Sequence, residues 1–583
     1  MLNILILTLI FLPAVSAVFC YFYGSKDENK VFPIVIAVSF ICLIISVVLY
    51  IYPHVIELKL PIMRDFPISF KADSFRSLYA LACSFLWAIS SLYSPPYFNN
   101  IHKKPRYGMF SLLSLSTALG VFLSADLYTS FLFFEILSFV SYPLVSHEET
   151  EDALIAGRSY IATAVLGGML VLLGMMYLYP KMGSFSYDVI FEKAQLIDNK
   201  NTLILPATLI LLGFGAKAGM FPVHGWLPLA HPVAPAPASA VLSGMLTKVG
   251  VFGILHISFS LLSGFVTWGN ILLVFGLITM VLGALLALFS TNLKRTLACS
   301  SMSQIGFILV GISMQILLNS HSAIAMEGTI MHMLNHSLVK LCLFLCAGYV
   351  YMLNGSLSLN DIKGSGRSYP LLNICFLIGA LSISGVPFFS GYPSKTLLHE
   401  GMVEYIMLFE PASLAHTLYT VAEWIFVISG GITFAYMIKL YFCIFIAKPE
   451  KAQNKQSMPS LIKITLAISA MVLIPLGLFP NDIMEKIAIA AIPTFVKDVE
   501  IHAVEYFSKV NIMGTVKSLI IGAIIYITFV NTILIKRKDG KIYYADRTPE
   551  FLELDNIIKP IWDKIKDAGF LLAKKLNLIA EKL

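Results

Sequence analysis

Residues 211–253 read LLGFGAKAGMFPVHGWLPLAHPVAPAPASAVLSGMLTKVGVFG, and the two lysines in this stretch decide the class of fold. Lys217 and Lys248 sit in apolar runs at 202–222 and 236–262, each about long enough to cross a hydrocarbon layer of roughly 30 Å at ~1.5 Å per helical residue. Gly213, Gly215, Gly219 and Pro222 crowd around Lys217, and Pro228, Pro232, Pro235 and Pro237 fill the connection. The first run is therefore expected to be a broken helix. Freed carbonyls at that depth are tolerated only where they face protein or water. A charge at mid-depth costs about 2.5–3.5 kcal/mol on insertion scales, so buried lysines imply a wet interior.

The rest of the chain agrees. Of its 583 residues 57% are hydrophobic and 13% charged, against roughly 25% charged in soluble domains. The apolar runs are continuous rather than alternating, which excludes a β-barrel and predicts an all-α polytopic membrane protein. The net charge of +7 is scattered through loops instead of forming a basic stripe, so nucleic acid is excluded as a partner and the bilayer expected. All eight cysteines lie in apolar stretches, and Cys342 and Cys346 are spaced as adjacent helical turns, which argues against zinc or iron–sulfur ligation. Leu2 to Tyr23 lacks a basic leader region and is expected to be a retained first helix, although Val15-Ser16-Ala17 loosely resembles a cleavage site.

About fifteen spans follow from the ~20-residue rule: 2–23, 31–52, 73–94, 107–124, 126–146, 154–179, 202–222, 236–262, 268–290, 295–318, 322–353, 370–408, 420–447, 460–479 and 514–535. The run at 370–408 is too long for one straight span, and Gly385, Pro387, Gly391 and Pro393 interrupt it. Spans 7 and 12 are thus both expected to be broken, and each carries a lysine. Interrupted helices in separate halves point to an inverted-repeat transporter with sites near the midplane. The expected organisation is N-terminal helices at 1–106, a first repeat at 107–262, a second inverted repeat at 268–447, C-terminal helices at 460–535 and an amphipathic surface or lateral helix at 549–582. Lys and Arg concentrate in loops after odd-numbered spans, and Lys536, Arg537, Lys538 and Lys541 follow the last one. This places the N-terminus outside and the C-terminus in the cytoplasm.

Five charges in these spans carry the argument, Glu135, Lys217, Lys248, Lys340 and Lys395. Glu135, in SADLYTSFLFFEILSFVSYPL, is near the middle of its run, and Lys217 is its natural partner. In low dielectric a carboxyl keeps its proton and an amine sheds its own unless the opposite charge approaches, so moving Glu135 toward or away from Lys217 loads or unloads a proton. Carrying a charge against about 150 mV costs roughly 3.5 kcal/mol, within reach of such a switch. A fixed ion pair that only joins two helices is the structural alternative. Lys248 lies mid-span in SAVLSGMLTKVGVFG, and HMLNHSLVKLCLF sets His332, His336 and Lys340 along one slowly drifting helical face. Such a row can relay protons through waters, whereas a lysine one turn from two imidazoles repels a metal. Lys395 follows the second break in GVPFFSGYPSKTLLHE, with His399 and Glu400 beyond it, as an exit group or a lysine that snorkels to the interface. His256, His224 and His231 are secondary candidates, and the last two could be structural within the proline-rich loop.

FFEILSF, the long stretch from Gly215 to Gly253, NLKRTLACSSMSQIGF, HMLNHSLVKLCLFL and GVPFFSGYPSK occur in order over roughly residues 70–450. Together they resemble the antiporter-like subunits shared by respiratory complex I, energy-converting membrane-bound hydrogenases, formate hydrogenlyase and Mrp-type sodium/proton antiporters. The resemblance implies a fourteen-helix core of two inverted five-helix repeats, with Glu135 and Lys217 as a modulating pair and Lys248 as the central connector. It also implies a second half-channel of His332, His336 and Lys340, ending at Lys395. A lysine at 395 looks more like the distal complex I subunit than the middle one. Two departures stand out. Asn292 replaces the aspartate common before Lys294-Arg295, and the tail is shorter than that of the distal subunit. HPVAPAPASAVLSG and SGYPSKTLLHE lean toward hydrogenase-linked members.

The expected function is that of a proton- or sodium-translocating subunit of a redox-driven complex in the cell (inner) membrane. Its partners would be other membrane subunits and peripheral electron-transfer subunits at the cytoplasmic side. No cofactor is expected in this chain; Fe–S, NiFe or flavin centres belong to partners. The rivals are an Mrp-type antiporter subunit and a non-conducting membrane scaffold.

Overall fold

The computed structural model describes residues 2–52, 55–61, 66–99, 101–449, 457–496, 504–538, 541–549 and 552. The expected amphipathic helix at 549–582 lies outside the described residues, Leu552 and the first position apart. Two peripheral helices come first, α1 (Leu2–Lys26) and α2 (Val31–Ile51), followed by a hairpin of β1 (Ile56–Leu60) and β2 (Ile68–Ala72). The first half continues through α3 (Ser74–Tyr97), α4 (Lys104–Phe122), α5 (Leu127–Val145), α6 (Glu151–Met182), the short α7 (Tyr187–Gln195), α8 (Ile204–Ala218), α9 (Trp226–Val233), α10 (Ala236–Val241) and α11 (Thr247–Leu262). In the second half are α12 (Val266–Phe289), α13 (Leu293–Leu318), α14 (Ile324–Asn354), α15 (Pro370–Ser384), α16 (Gly391–Met407) and α17 (Leu414–Tyr441). The chain closes with α18 (Ser460–Met471), α19 (Leu473–Leu478), α20 (Lys486–Ala491), α21 (Lys509–Ile525) and a hairpin of β3 (Ile535–Lys538) and β4 (Lys541–Tyr544).

Thirteen helices among the described residues are long and apolar enough to span a bilayer. Lys104–Phe122 and the pair α15/α16 are helical where two further spans were expected but fall outside that set. The sequence reading did not anticipate the two hairpins. β3–β4 arises where Lys536 to Lys541 was read only as a basic stop, and it docks on the loop after α14, with Lys363 Nζ donating to Ile542 O at 2.6 Å. The segment read as a proline-rich loop also contains α9, because Pro228 falls in its first turn, where a missing N–H is harmless.

Every residue of α11 is buried, and nearly every one of α13, whereas α1 and α2 turn Ile4, Phe11, Phe22 and Ile44 outward. An apolar outer face meets lipid, which gives no hydrophobic drive for helix association, so the interior relies on close backbone approach. A Cβ at Gly283 of α12 would lie 2.4 Å from Ser303 N of α13, and one at Gly306 of α13 the same distance from Met280 N. Caps hold the ends. Asp73, Asp126 and Asn292 accept from the backbone N–H groups of Arg76, Thr129 and Arg295 at 2.8, 2.7 and 3.0 Å. Asn292 thus keeps the capping role that its carboxylate counterpart would serve.

The two interruptions use one device. α8 ends at Gly219, φ 79°, and α15 ends at Gly385, φ 77°, a left-handed conformation that costs glycine little. At the second break α16 begins directly against the end of α15, and a Cβ on Gly391 would lie 1.8 Å from Ser382 O. Gly391→Ala is expected to lower unfolding stability in detergent by about 1–3 kcal/mol through overpacking against backbone. An unchanged melting temperature would show that the two half-helices are not in contact.

Candidate ion pathway

Lys217 occupies the last turn of α8, where carbonyls face inward and favour a cation. Its Nζ donates to Tyr160 Oη at 2.5 Å and lies 3.4 Å from both Ser138 Oγ and Ser141 Oγ, with the Tyr160 ring centroid at 4.8 Å. Glu135 is one helical turn from Ser138 on α5. Its Oε1 is buried without a hydrogen bond, and a Cβ on Gly168 would collide with it, so that glycine makes its room. Glu135 and Lys217 feel each other's charge without forming an ion pair. The sequence reading paired the two and missed the hydroxyl cage around Lys217.

Lys248 follows a π-helical turn at Leu242–Leu246, whose wider winding lets Ser243 O accept from its Nζ at 3.0 Å. The same Nζ meets His336 Nδ1 at 2.7 Å. This contact joins the first half to the second. On α14 the rings of His336 and His332 stand nearly parallel, 8° apart with centroids at 6.4 Å. His332 bridges to Ser394 Oγ of α16 at 3.0 Å and Gln304 Oε1 of α13 at 3.1 Å.

Lys340 shares the helix but not the contact. Its Nζ donates to Leu297 O at 2.7 Å and to Ser300 Oγ, on α13, so the cation that meets His336 is Lys248. Lys395 is 9% exposed and donates to Ile383 O at 2.8 Å, at the C-terminal end of α15. It points into the protein and does not snorkel. A cavity of about 40 Å³ beside it is lined also by His399, Asn511, Thr515 and Ser518. His399 Nε2 meets Glu423 Oε1 of α17 at 2.9 Å, so the carboxylate at this end is Glu423 rather than the adjacent Glu400. Glu423 interrupts the apolar run VAEWIF, the same signal that exposed Glu135.

The softer candidates scatter. His224 lines a cavity of about 400 Å³ with Asp152, Asn292 and Arg295. His231 is fully buried, its ring stacked on Phe344 at 4.9 Å and within the field of Lys340. His256 packs between Tyr187 and Phe252, outside the row. Sequence reasoning also missed Lys439, whose Nζ donates to the carbonyls of Ala287, Leu288 and Ser290 and closes the end of α12. On the same side, Lys103 and Arg106 pair with Glu149 in the loop before α6 and hold its carboxyl down at about 2.

Residues 124–410 match the family described as NADH:quinone oxidoreductase/Mrp antiporter, transmembrane. Hydrogenase-4 component B of Escherichia coli K12 is 28% identical over 437 residues, which are 72% of this chain and 64% of that protein. Na(+)/H(+) antiporter subunit A1 of Staphylococcus aureus is 31% identical over 497 residues, 81% of this chain and 60% of that one. Over residues 124–410 the chain belongs to the antiporter-like subunits of this superfamily. The Mrp complex from Dietzia sp. contains a chain of the same fold, with TM-score 0.73 and 21% identity, covering 88% of this subunit and 98% of its own length. Both curated relatives are longer than the region this antiporter-like subunit matches.

Because Lys248 and His336 share one hydrogen bond, Lys248→Met and His336→Gln are expected to be non-additive, with a coupling of about 0.5–3 kcal/mol in detergent unfolding. Additive losses would mean that the two side chains do not meet.

Proposed function

We propose that the subunit carries protons across the membrane within a redox-driven complex. The observation that supports this most is the row running from Glu135 and Lys217 through Lys248, His336 and His332 to Lys395, His399 and Glu423, built from titratable groups at membrane depth. Intramembrane ionisable groups are functional by default, and a chain of them linked by hydroxyls and imidazoles can pass a proton stepwise. Electrons would be handled by partner subunits at the cytoplasmic side, with Fe–S, NiFe or flavin centres there, and their energy would reach this chain by moving charges near Glu135. The likeness to hydrogenase-4 component B supports that setting.

A second reading is a subunit of a sodium/proton antiporter without an electron donor, which the 31% identity to the Staphylococcus aureus subunit favours. Mass spectrometry of the purified complex separates them: hydrogenase or dehydrogenase subunits for the first, only small membrane subunits for the second.

In either setting the assembled complex with both Lys217→Ala and Lys340→Ala is expected to lose ion movement into sealed vesicles by about tenfold or more. Translocation at the wild-type ratio would leave only the scaffold role. The N-terminus is assigned to the outside of the cell membrane and the C-terminus to the cytoplasm. A cysteine placed at Lys536 should therefore resist a membrane-impermeant thiol reagent added to intact cells, and rapid reaction would invert the topology.

A further inference from the structure

A cavity of about 1060 Å³ opens on the face that carries the first hairpin, α7 and the loops after α11 and α13, the face assigned to the outside. Lys71, Asp73, Arg76, Asp188 and Glu192 line it, charges of both signs that keep such a space hydrated. No member of the row described above reaches it. Its inner wall includes His256, whose side chain is buried and whose Nε2 has no hydrogen-bond partner among the described residues. The Tyr187 ring stacks on this imidazole at 4.4 Å, but its hydroxyl is engaged by Ser130 Oγ at 2.8 Å. A buried, unpaired imidazole nitrogen at the edge of a polar cavity calls for a water.

Beyond His256, helix α11 points inward. Ser260, His256, Phe252 and Lys248 recur every fourth residue, so they follow one slowly turning face and rise about 6 Å per step. Ser260 lines the cavity and Lys248 bonds His336, which leaves Phe252 as the only member without a polar atom. Its ring lies 4.3 Å from that of His256, and Phe122 and Phe75 pack on it at 5.9 and 6.1 Å. All three phenylalanines are fully buried. The Arg76 guanidinium stands over the Phe252 ring at 5.9 Å on the cavity side, and a cluster of phenylalanines between a polar cavity and a buried lysine gates by excluding water.

We propose that this cavity is a second, outward-facing proton port, ending at His256 and shut from Lys248 by Phe252. The port rests on the translocation reading and adds to it a route in the first half of the chain. An excess proton carried in by the cavity water binds Nε2, and when Phe252 swings aside the imidazolium releases a proton to a water leading to Lys248 and returns to the neutral form. Arg76 and Lys71 face His256 from α3 and the hairpin, and Asp73 lines the cavity with them.

The assembled complex in sealed proteoliposomes with an internal pH dye tests this. Phe252→Ala should raise passive proton entry about tenfold by letting water through the cluster. Ser260→Cys should react with a charged thiol reagent from the outer face, and its modification should slow ion movement about fivefold by blocking the port. The native cysteines are buried and contribute little background. Vesicles carrying Phe252→Ala that stay as tight as wild type, or a Ser260→Cys that is unreactive or harmless when modified, would overturn the port. If Phe252→Ala does not assemble, the Ser260→Cys result decides alone. Lys217→Ala with Lys340→Ala in the same vesicles keeps the two ideas apart: lost movement there with a tight Phe252→Ala removes only the port, whereas wild-type movement there removes translocation.

Discussion

Four ammonium groups in the interior, those of Lys217, Lys248, Lys340 and Lys395, have no carboxylate at ion-pair distance among the described residues. Taking a cation from water into protein costs several kcal/mol, and a counter-ion is the usual remedy. Here neutral acceptors take its place. Tyr160 and two serines serve Lys217, a π-turn carbonyl and an imidazole serve Lys248, and backbone carbonyls serve Lys340 and Lys395. Such a group answers strongly to any charge that moves nearby, because nothing fixed already neutralises it.

The backbone supplies those acceptors by departing from the α-helix where a lysine needs them. Gly385 in the left-handed region ends α15 so that Ile383 O is free for Lys395, and a Cβ there would press on the lysine stem at 2.9 Å. The π-turn before Lys248 does the same for Ser243 O. Irregular backbone inside a membrane protein is tolerable only when something satisfies it, and here the carbonyls and the lysines satisfy each other. The helices around them are held by the close backbone contacts of Gly283 and Gly306 and by tyrosines of α3, with Tyr79 and Tyr93 donating to carbonyls of α14 at 3.0 Å.

Much of this was legible in the chain. Lysines and Glu135 stand out against apolar runs because hydrocarbon makes each a costly exception, and the Gly and Pro clusters at 213–222 and 385–393 mark the breaks by the same local physics. The pairings were not legible. The helical spacing of His332, His336 and Lys340 suggested one row, yet the cation that meets His336 comes from α11, since the rotation of one helix against another depends on packing partners far away in sequence. Glu423 was passed over for Glu400, which stands next to His399 in sequence but is not the carboxylate it bonds. The hairpins escaped because short strands near basic residues carry too little periodicity to separate from loops.

Proton movement along this row would require buried, counter-ion-free amines to exchange protons through internal water. A map of the assembled complex sharp enough to place solvent tests it most directly. Ordered waters are expected within about 3 Å of the Lys217, Lys248 and Lys395 ammonium groups, forming hydrogen-bonded links between successive members of the row. Dry, apolar packing around those groups, with no water between Lys217 and Lys248, would contradict it.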